Sequence, residues 1–370
     1  MQRIGARTMA LLLVLATLWG SAFLFIKIAV DSIPPGIAAI GRVFIALVIV
    51  AAVLGIMRRR LILPLACWKR LFPLGVFGTA IPFYLQNLAE TRIPSAHAAM
   101  LMATAPIFTA VLAHFTTDEK LSGRVIAGFV TAFLGVTILV GPHALAAGSH
   151  VGLFHLLILA AAMSYAINLV LSRRIADISV DAMTLGSLAW GGLLLLILLS
   201  SGGTTQLPEP SMASTLSLVF LGTGSTAVAA FLTMYLVRHA GTQPVAMAVN
   251  LVPVIGMLLG AAVLGEYPGV SEFVAVTLIL TGLLIVTRRQ SPAGDPSATR
   301  ERPARWRSQR KASVTMRSRS SSRGCQPSAL RIAPASDTSA GGSPARRGPS
   351  RISRGAPFAR STAASTSRTE

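Results

Sequence analysis

The sequence predicts an all-α integral membrane protein of ten transmembrane helices, arranged as two inverted five-helix repeats and followed by a disordered basic tail. Three observations lead there. Of the 370 residues, 53% are apolar and only 12% charged, against about a quarter charged in an ordinary soluble domain. The apolar residues up to Thr287 fall into successive runs near the roughly 20 residues that a bilayer crossing needs. A pattern is also written twice: Pro106, Glu119 and Gly135 recur as Pro253, Glu266 and Gly282, each 147 places later.

The runs cover 9–30, 36–57, 71–89, 95–116, 124–141, 151–172, 182–201, 213–237, 244–264 and 271–287. They lack the two-residue alternation of strands, and many are longer than a barrel strand requires, so they read as helices. The first follows Arg3 and Arg7 as a signal peptide would. It is longer than a typical signal h-region, no small-x-small site closes it, and Lys27 lies in its far end, so it reads as a retained helix. Cytoplasmic loops collect Lys and Arg. An inside N-terminus gathers Arg3, Arg7, Arg58, Arg59, Arg60, Lys69, Arg70, Lys120, Arg124, Arg173, Arg174, Arg238, Arg288 and Arg289 on the cytoplasmic side. Arg92 falls outside, with Lys27 and Arg42 near the outer edge. Both termini are therefore expected in the cytoplasm.

Residues 1–287 carry 15 Lys and Arg against 9 Asp and Glu, and residues 288–370 carry 18 against 4. The tail, 290–370, is rich in Arg, Ser, Ala, Pro and Gly and has too few large apolar residues to bury a core. It reads as an unconstrained extension or as a contact for anionic lipid; no nucleic-acid partner is expected.

The repeat reaches back to the first run. "WGSAFLFIKIAVD" from Trp19 aligns without a gap on "YAINLVLSRRIAD" from Tyr165, pairing Lys27 with Arg173 and Asp31 with Asp177. The chain divides into a first unit at 1–141 and a second at 151–289. Five crossings are an odd number, so two copies in series enter the membrane from opposite sides. Inverted repeats are an architecture of alternating-access carriers, with the substrate site near midplane between the halves.

The segments "LWGSAFLFIK", "GRVFIALVIV", "PIFTAVLAHFTTDEKLSG" with "GFVTAFLGVTILV", and "VPVIGMLLGAAVLGEYPG" with "LTGLLIVTRR" resemble the EamA-type transporters of the drug/metabolite transporter superfamily. The resemblance covers nearly everything to Thr287 and none of the tail. It implies two EamA domains in a bacterial cytoplasmic membrane, and a small-molecule substrate moved across it, often outward, without a cofactor. It also implies a central cavity lined by helices 1, 3, 6, 8 and 9. The chain departs from the pattern where Tyr165 and Ala166 stand in place of the Trp19–Gly20 pair.

Polar groups at membrane depth are costly and face the bundle or a water-filled cavity. The candidates are Trp19, Ser21, Tyr84, Gln86 and Asn87 in the first copy, and Tyr165, Asn168, Thr233, Tyr235 and Asn250 in the second. Each also has a plainer reading as interhelical glue. Pro106 and Pro253 read as hinges or kinks, since proline removes a hydrogen-bond donor from its helix. Glu119 and Glu266 read as caps on the helices that follow them, or as gates at opposite faces. Arg42 reads as a snorkelling side chain or as an anion contact, and Lys27 as snorkelling.

Other motifs carry less. Gly256 and Gly260 allow close packing. His150 and His155 lack further ligands, so no metal site is expected. "GTGS" at 222–225 lacks the lysine of a P-loop. No span holds a central acidic residue, and no catalytic constellation is legible. A channel or scaffold is the alternative function, and a membrane-embedded enzyme the more distant one.

Overall fold

The computed structural model describes residues 5–57, 64–116, 122–145, 150–175, 177–201 and 209–287. Glu119 and the tail at 290–370 lie outside the described residues. Among those described every regular element is helical, and no strand occurs. Eight helical stretches are long and apolar enough to cross a membrane, and the apolar helix Val252–Leu264 is shorter.

The first copy contains α1 (Ala6–Ser32), α2 (Pro35–Ile56), α3 (Leu65–Gly75), a π-helical segment Val76–Ala80, α4 (Ile81–Ala89), α5 (Ser95–Met102), α6 (Ala105–Thr116) and α7 (Gly123–Leu145). The same order follows in α8 (His150–Arg174), α9 (Val180–Ser201), α10 (Met212–Phe220), a π-helical segment Leu221–Val228, α11 (Ala229–Ala240), α12 (Thr242–Val249), α13 (Val252–Leu264) and α14 (Val270–Thr287). Each copy thus has a π segment within its third rod and an interruption in its fourth. π-helical turns are rare, so their recurrence at matching places marks the two copies as related in structure as well as in sequence.

The interruptions explain the paired prolines differently from a kink. α5 stops at Met102, where Ala103 N and Thr104 N donate to Met100 and Leu101 carbonyls. α6 then restarts with Pro106 in its first turn. At the corresponding place Leu251 N donates to Ala248 O, and Pro253 lies in the first turn of α13. A first-turn proline loses no helical hydrogen bond, because that N–H has no intrahelical acceptor. Neither proline breaks a continuous helix; each begins the second half of a discontinuous one.

The helices pack through small residues, as lipid supplies no hydrophobic drive between them. α7 and α14, the last helices of the two copies, cross where Gly128 meets Gly282 and Gly135 meets Ala275. A Cβ on Gly282 would lie 2.5 Å from Gly128 O, and one on Gly135 would lie 2.8 Å from Ala275 O. The repeated glycines therefore serve the contact of the copies with one another. On the surface, Leu196, Ile197, Val219, Leu258 and Phe273 remain exposed, as befits side chains that meet acyl chains.

Candidate functional site

The site is built on one face of α4. Phe83, Gln86, Asn87 and Glu90 follow the i, i+3, i+4, i+7 spacing that aligns side chains along a helix, and all four are buried. They form a polar lane through an apolar bundle. Arg42 of α2 sits at one end, its guanidinium carbon 4.1 Å from the centre of the Phe83 ring. Its Nε donates to Thr226 Oγ1 at 2.8 Å, and that hydroxyl donates to Leu221 O at 2.8 Å. The π segment makes this link available: its wider turns leave Leu221 O open to a side chain five residues on. One terminal nitrogen of Arg42, Nη1, has no partner.

Glu90 sits at the other end of the lane, fully buried, and neither carboxylate oxygen has a hydrogen-bond partner. Lys27 of α1 is nearby, but its ammonium donates to the backbone carbonyls of Glu90 and Ile93 at 2.7 and 2.9 Å. Between the ends, Gln86 Nε2 donates to Tyr165 Oη at 3.3 Å, and Asn87 Nδ2 donates to Phe83 O at 2.8 Å. Asn87 Oδ1 is buried without a partner. Buried charges and amides left unpaired each cost kilocalories per mole, and here they are concentrated on one helix face.

Two sequence expectations are corrected here. Arg42 does not snorkel: it is 5% exposed and held by Thr226 and Phe83. Lys27 does not reach for headgroups either, because the carbonyls at the end of α4 capture it. Glu90 is the residue that sequence reasoning missed. It follows the apolar run ending at Ala89 and so looks like a loop residue, yet its spacing from Gln86 and Asn87 carried the signal.

The remaining candidates scatter. Asn168 packs against the first π segment, where a Cβ on Gly78 would fall 2.7 Å from its Oδ1. One turn earlier, Ser164 donates to Phe77 O in that segment at 2.9 Å, a contact not anticipated from the sequence. Trp19 is half-buried between two apolar clusters. Ser21 and Thr233 bond carbonyls of their own helices, Leu18 O and Ala229 O. Tyr84 lines an apolar cleft of about 250 Å³ together with Ile81, Leu85, Leu194 and Leu198. Tyr235 is 37% exposed and stacks on His239 with ring centres 4.1 Å apart. Asn250 occupies the interruption between α12 and α13, its Oδ1 buried without a partner.

Glu266 is a cap, but not of the helix that follows it. Its carboxylate accepts from Ser95 N at 3.0 Å, Ser95 Oγ at 2.7 Å and Ala96 N at 3.1 Å, closing the start of α5 in the other copy. Free N–H groups and the positive end of the helix dipole favour a carboxylate there. Close by in sequence, His97 Nδ1 lies 3.1 Å from His155 Nε2, and His97 Nε2 lies 3.6 Å from Glu272 Oε1. His155 therefore partners His97 rather than His150, and no group of three metal-binding side chains forms among the described residues.

Two ion pairs lie near the α8–α9 connection, the first between the copies and the second within the second copy. Arg70 of α3 holds Asp177 through two hydrogen bonds of 2.7 Å, and Arg238 of α11 pairs with Asp181 of α9. Hydrogen bonding from Arg70 keeps the Asp177 carboxyl below the ordinary aspartate range.

Comparison with known proteins follows the same division into copies. The model of the EamA-like transporter family matches residues 6–141 and 152–288. A probable amino-acid metabolite efflux pump of Escherichia coli (strain K12) is 29% identical over 289 residues, covering 74% of this chain and 93% of the relative. An uncharacterized transporter of Archaeoglobus fulgidus is 27% identical over 284 residues, 74% of this chain and 96% of the relative. A probable terminal-alkyne amino-acid exporter of Streptantibioticus cattleyicolor is 26% identical over 299 residues, 76% of this chain and 93% of the relative. One solved crystal structure shares the fold with a TM-score of 0.55 at 19% identity, covering 76% of this chain and 96% of that one.

Proposed function

Because this chain belongs to the EamA-like transporter family, we propose that it is a secondary carrier moving small organic metabolites outward across a bacterial cytoplasmic membrane. Ten crossings form two inverted five-helix repeats, with both termini in the cytoplasm, and the repeats rock about a central site. The observation that carries this reading is the buried polar lane on α4, with unsatisfied groups at both ends and in the middle. Such a lane costs the apo fold free energy that a packing role does not offset, whereas a ligand with complementary polar atoms repays it.

Amino acids or related compounds are the substrate class that the named relatives favour. Alternating access draws support from the matched irregularities: interrupted helices at Ala103–Thr104 and Asn250–Leu251, and π segments in both third rods. Discontinuous helices commonly line transporter sites, and Pro106 and Pro253 set where each restarts. Glu266 and the Arg70–Asp177 pair join the copies and are suited to act as gates.

The test compares metabolites in the medium and cytoplasm of cells expressing the wild-type chain or the Gln86→Ala/Tyr165→Phe variant at equal membrane abundance. The carrier reading expects a few compounds to redistribute with wild type alone, and saturable counterflow of those compounds in proteoliposomes. Identical profiles, with no counterflow of any compound, would refute it and leave the channel or scaffold alternative.

A further inference from the structure

Among the described residues, five buried side-chain atoms lack hydrogen-bond partners, and four of them lie on or against the α4 lane. Three are acceptors: both Glu90 carboxylate oxygens and Asn87 Oδ1. The fourth, Arg42 Nη1, is a donor. The acceptors cluster within one turn of helix, and the donor stands by Phe83, seven residues before Glu90, or about 10 Å along the axis. Lys27, Glu266 and Arg42 all lie near enough to act on Glu90 electrostatically, Lys27 more than Arg42, but neither cation forms an ion pair with it within 4 Å. Lys27 does not neutralise the acidic end through contact, because its ammonium is engaged by backbone carbonyls.

A ligand that completes this arrangement brings several donors to one end and an oxyanion to the other. An ammonium group supplies three donors to Glu90 and Asn87, and a carboxylate accepts from Arg42. Charge-assisted hydrogen bonds of about 2.8 Å then close both ends. A monoanion would leave Glu90 unpaired, and a monocation would leave Arg42 half satisfied.

We propose that Glu90 with Asn87 and Arg42 form the two poles of a zwitterion site, Glu90 taking the ammonium and Arg42 the carboxylate. This rests on the carrier reading and assigns the charge class of its substrate. The body of the ligand lies along Gln86 and Tyr165, which stand between the poles.

The experiment uses the full chain in proteoliposomes and counterflow of six probes: leucine, 3-methylbutylamine and 4-methylpentanoate, and phenylalanine, phenethylamine and 3-phenylpropanoate. Wild type is expected to exchange at least one zwitterion and to prefer it over both singly charged analogues. In Glu90→Gln that exchange falls about 10- to 100-fold, as loss of a hydrogen bond to a charged group implies, while the carboxylate-only analogue becomes the better substrate. Glu90→Asp recovers part of the zwitterion exchange. Glu90→Gln should melt no lower than wild type, since neither carboxylate oxygen has a hydrogen bond to lose. That combination separates recognition from folding.

Zwitterion exchange at the wild-type rate in Glu90→Gln, or equal loss of all six probes in both Glu90→Gln and Glu90→Asp, would overturn the proposal. So would a wild type that prefers a singly charged analogue, although carrier function would then stand. A wild type that exchanges none of the six also overturns it, and the metabolite comparison then decides the carrier reading separately.

Discussion

Glu266→Gln should weaken the joint between the two copies by a measurable amount. The wild-type carboxylate receives three hydrogen bonds, two from the backbone N–H groups at the start of α5 and one from Ser95 Oγ. Ser95 is fully buried, so water cannot replace the cap there. A hydrogen bond to a charged acceptor contributes about 1.5–3 kcal/mol, against about 0.5–1.5 for a neutral one. Interaction with the helix dipole adds about 0.3–1 kcal/mol. Glutamine keeps one acceptor oxygen and loses the charge, so the expected loss is about 1–3 kcal/mol. For a chain of this size, thermal unfolding in detergent, followed by tryptophan fluorescence, should shift downward by about 2–4 °C per kcal/mol. A cycle with Ser95→Ala tests the contact itself: the two substitutions should couple by about 1 kcal/mol, since each removes part of the same bond network. An unchanged melting temperature, or additivity within about 0.5 kcal/mol, would refute the cross-copy cap.

Gly282→Val places branched atoms where a Cβ already falls 2.5 Å from a backbone oxygen and 2.8 Å from Ala132 Cβ; folded yield on size exclusion should collapse, while Gly55→Val, with open space around it, should leave yield intact. Thr226→Val strips Arg42 of its hydroxyl acceptor and frees Leu221 O, and should cost about 1–3 kcal/mol in the same unfolding assay. The Arg70–Asp177 pair has a depressed carboxyl pKa in the folded state, so its contribution is present above the unfolded value near 3.8 and is lost as pH falls through the lower folded value. Asp177→Asn should therefore match wild type in the pH dependence of melting between pH 5 and 8 and diverge only toward pH 3; divergence near neutrality would refute this. The effect should be small, because both side chains are about two-fifths exposed.

The sequence exposed the helical class and the repeat because both are local or additive signals. Lipid demands long apolar runs, and duplication leaves matched landmarks at Pro106 and Pro253. The meaning of those landmarks was less accessible. Proline marks a special place on a helix, but whether it kinks the helix or restarts it depends on hydrogen bonds two residues upstream. The π segments had no sequence signature at all, since Ser164, Asn168 and Thr226 stabilise them from other helices or from across a turn. Glu90 was hidden because the apolar run ends one residue earlier, although the helix face continues through it. Tyr84 and Tyr235 were polar residues at suitable depth, yet depth says nothing about azimuth. Helix rotation is set by neighbours, and it put Tyr84 on an apolar cleft and Tyr235 against His239.

The carboxylate at Glu266 lies 171 residues beyond the helix it closes. During synthesis the first copy therefore leaves the ribosome with the start of its fourth rod uncapped, and it stays so until nearly all of the second copy has been made. A first half expressed alone would carry that open helix end into the bilayer, along with bare glycines on α7 that belong against α14. The joint between the copies is therefore completed only once the second has been made.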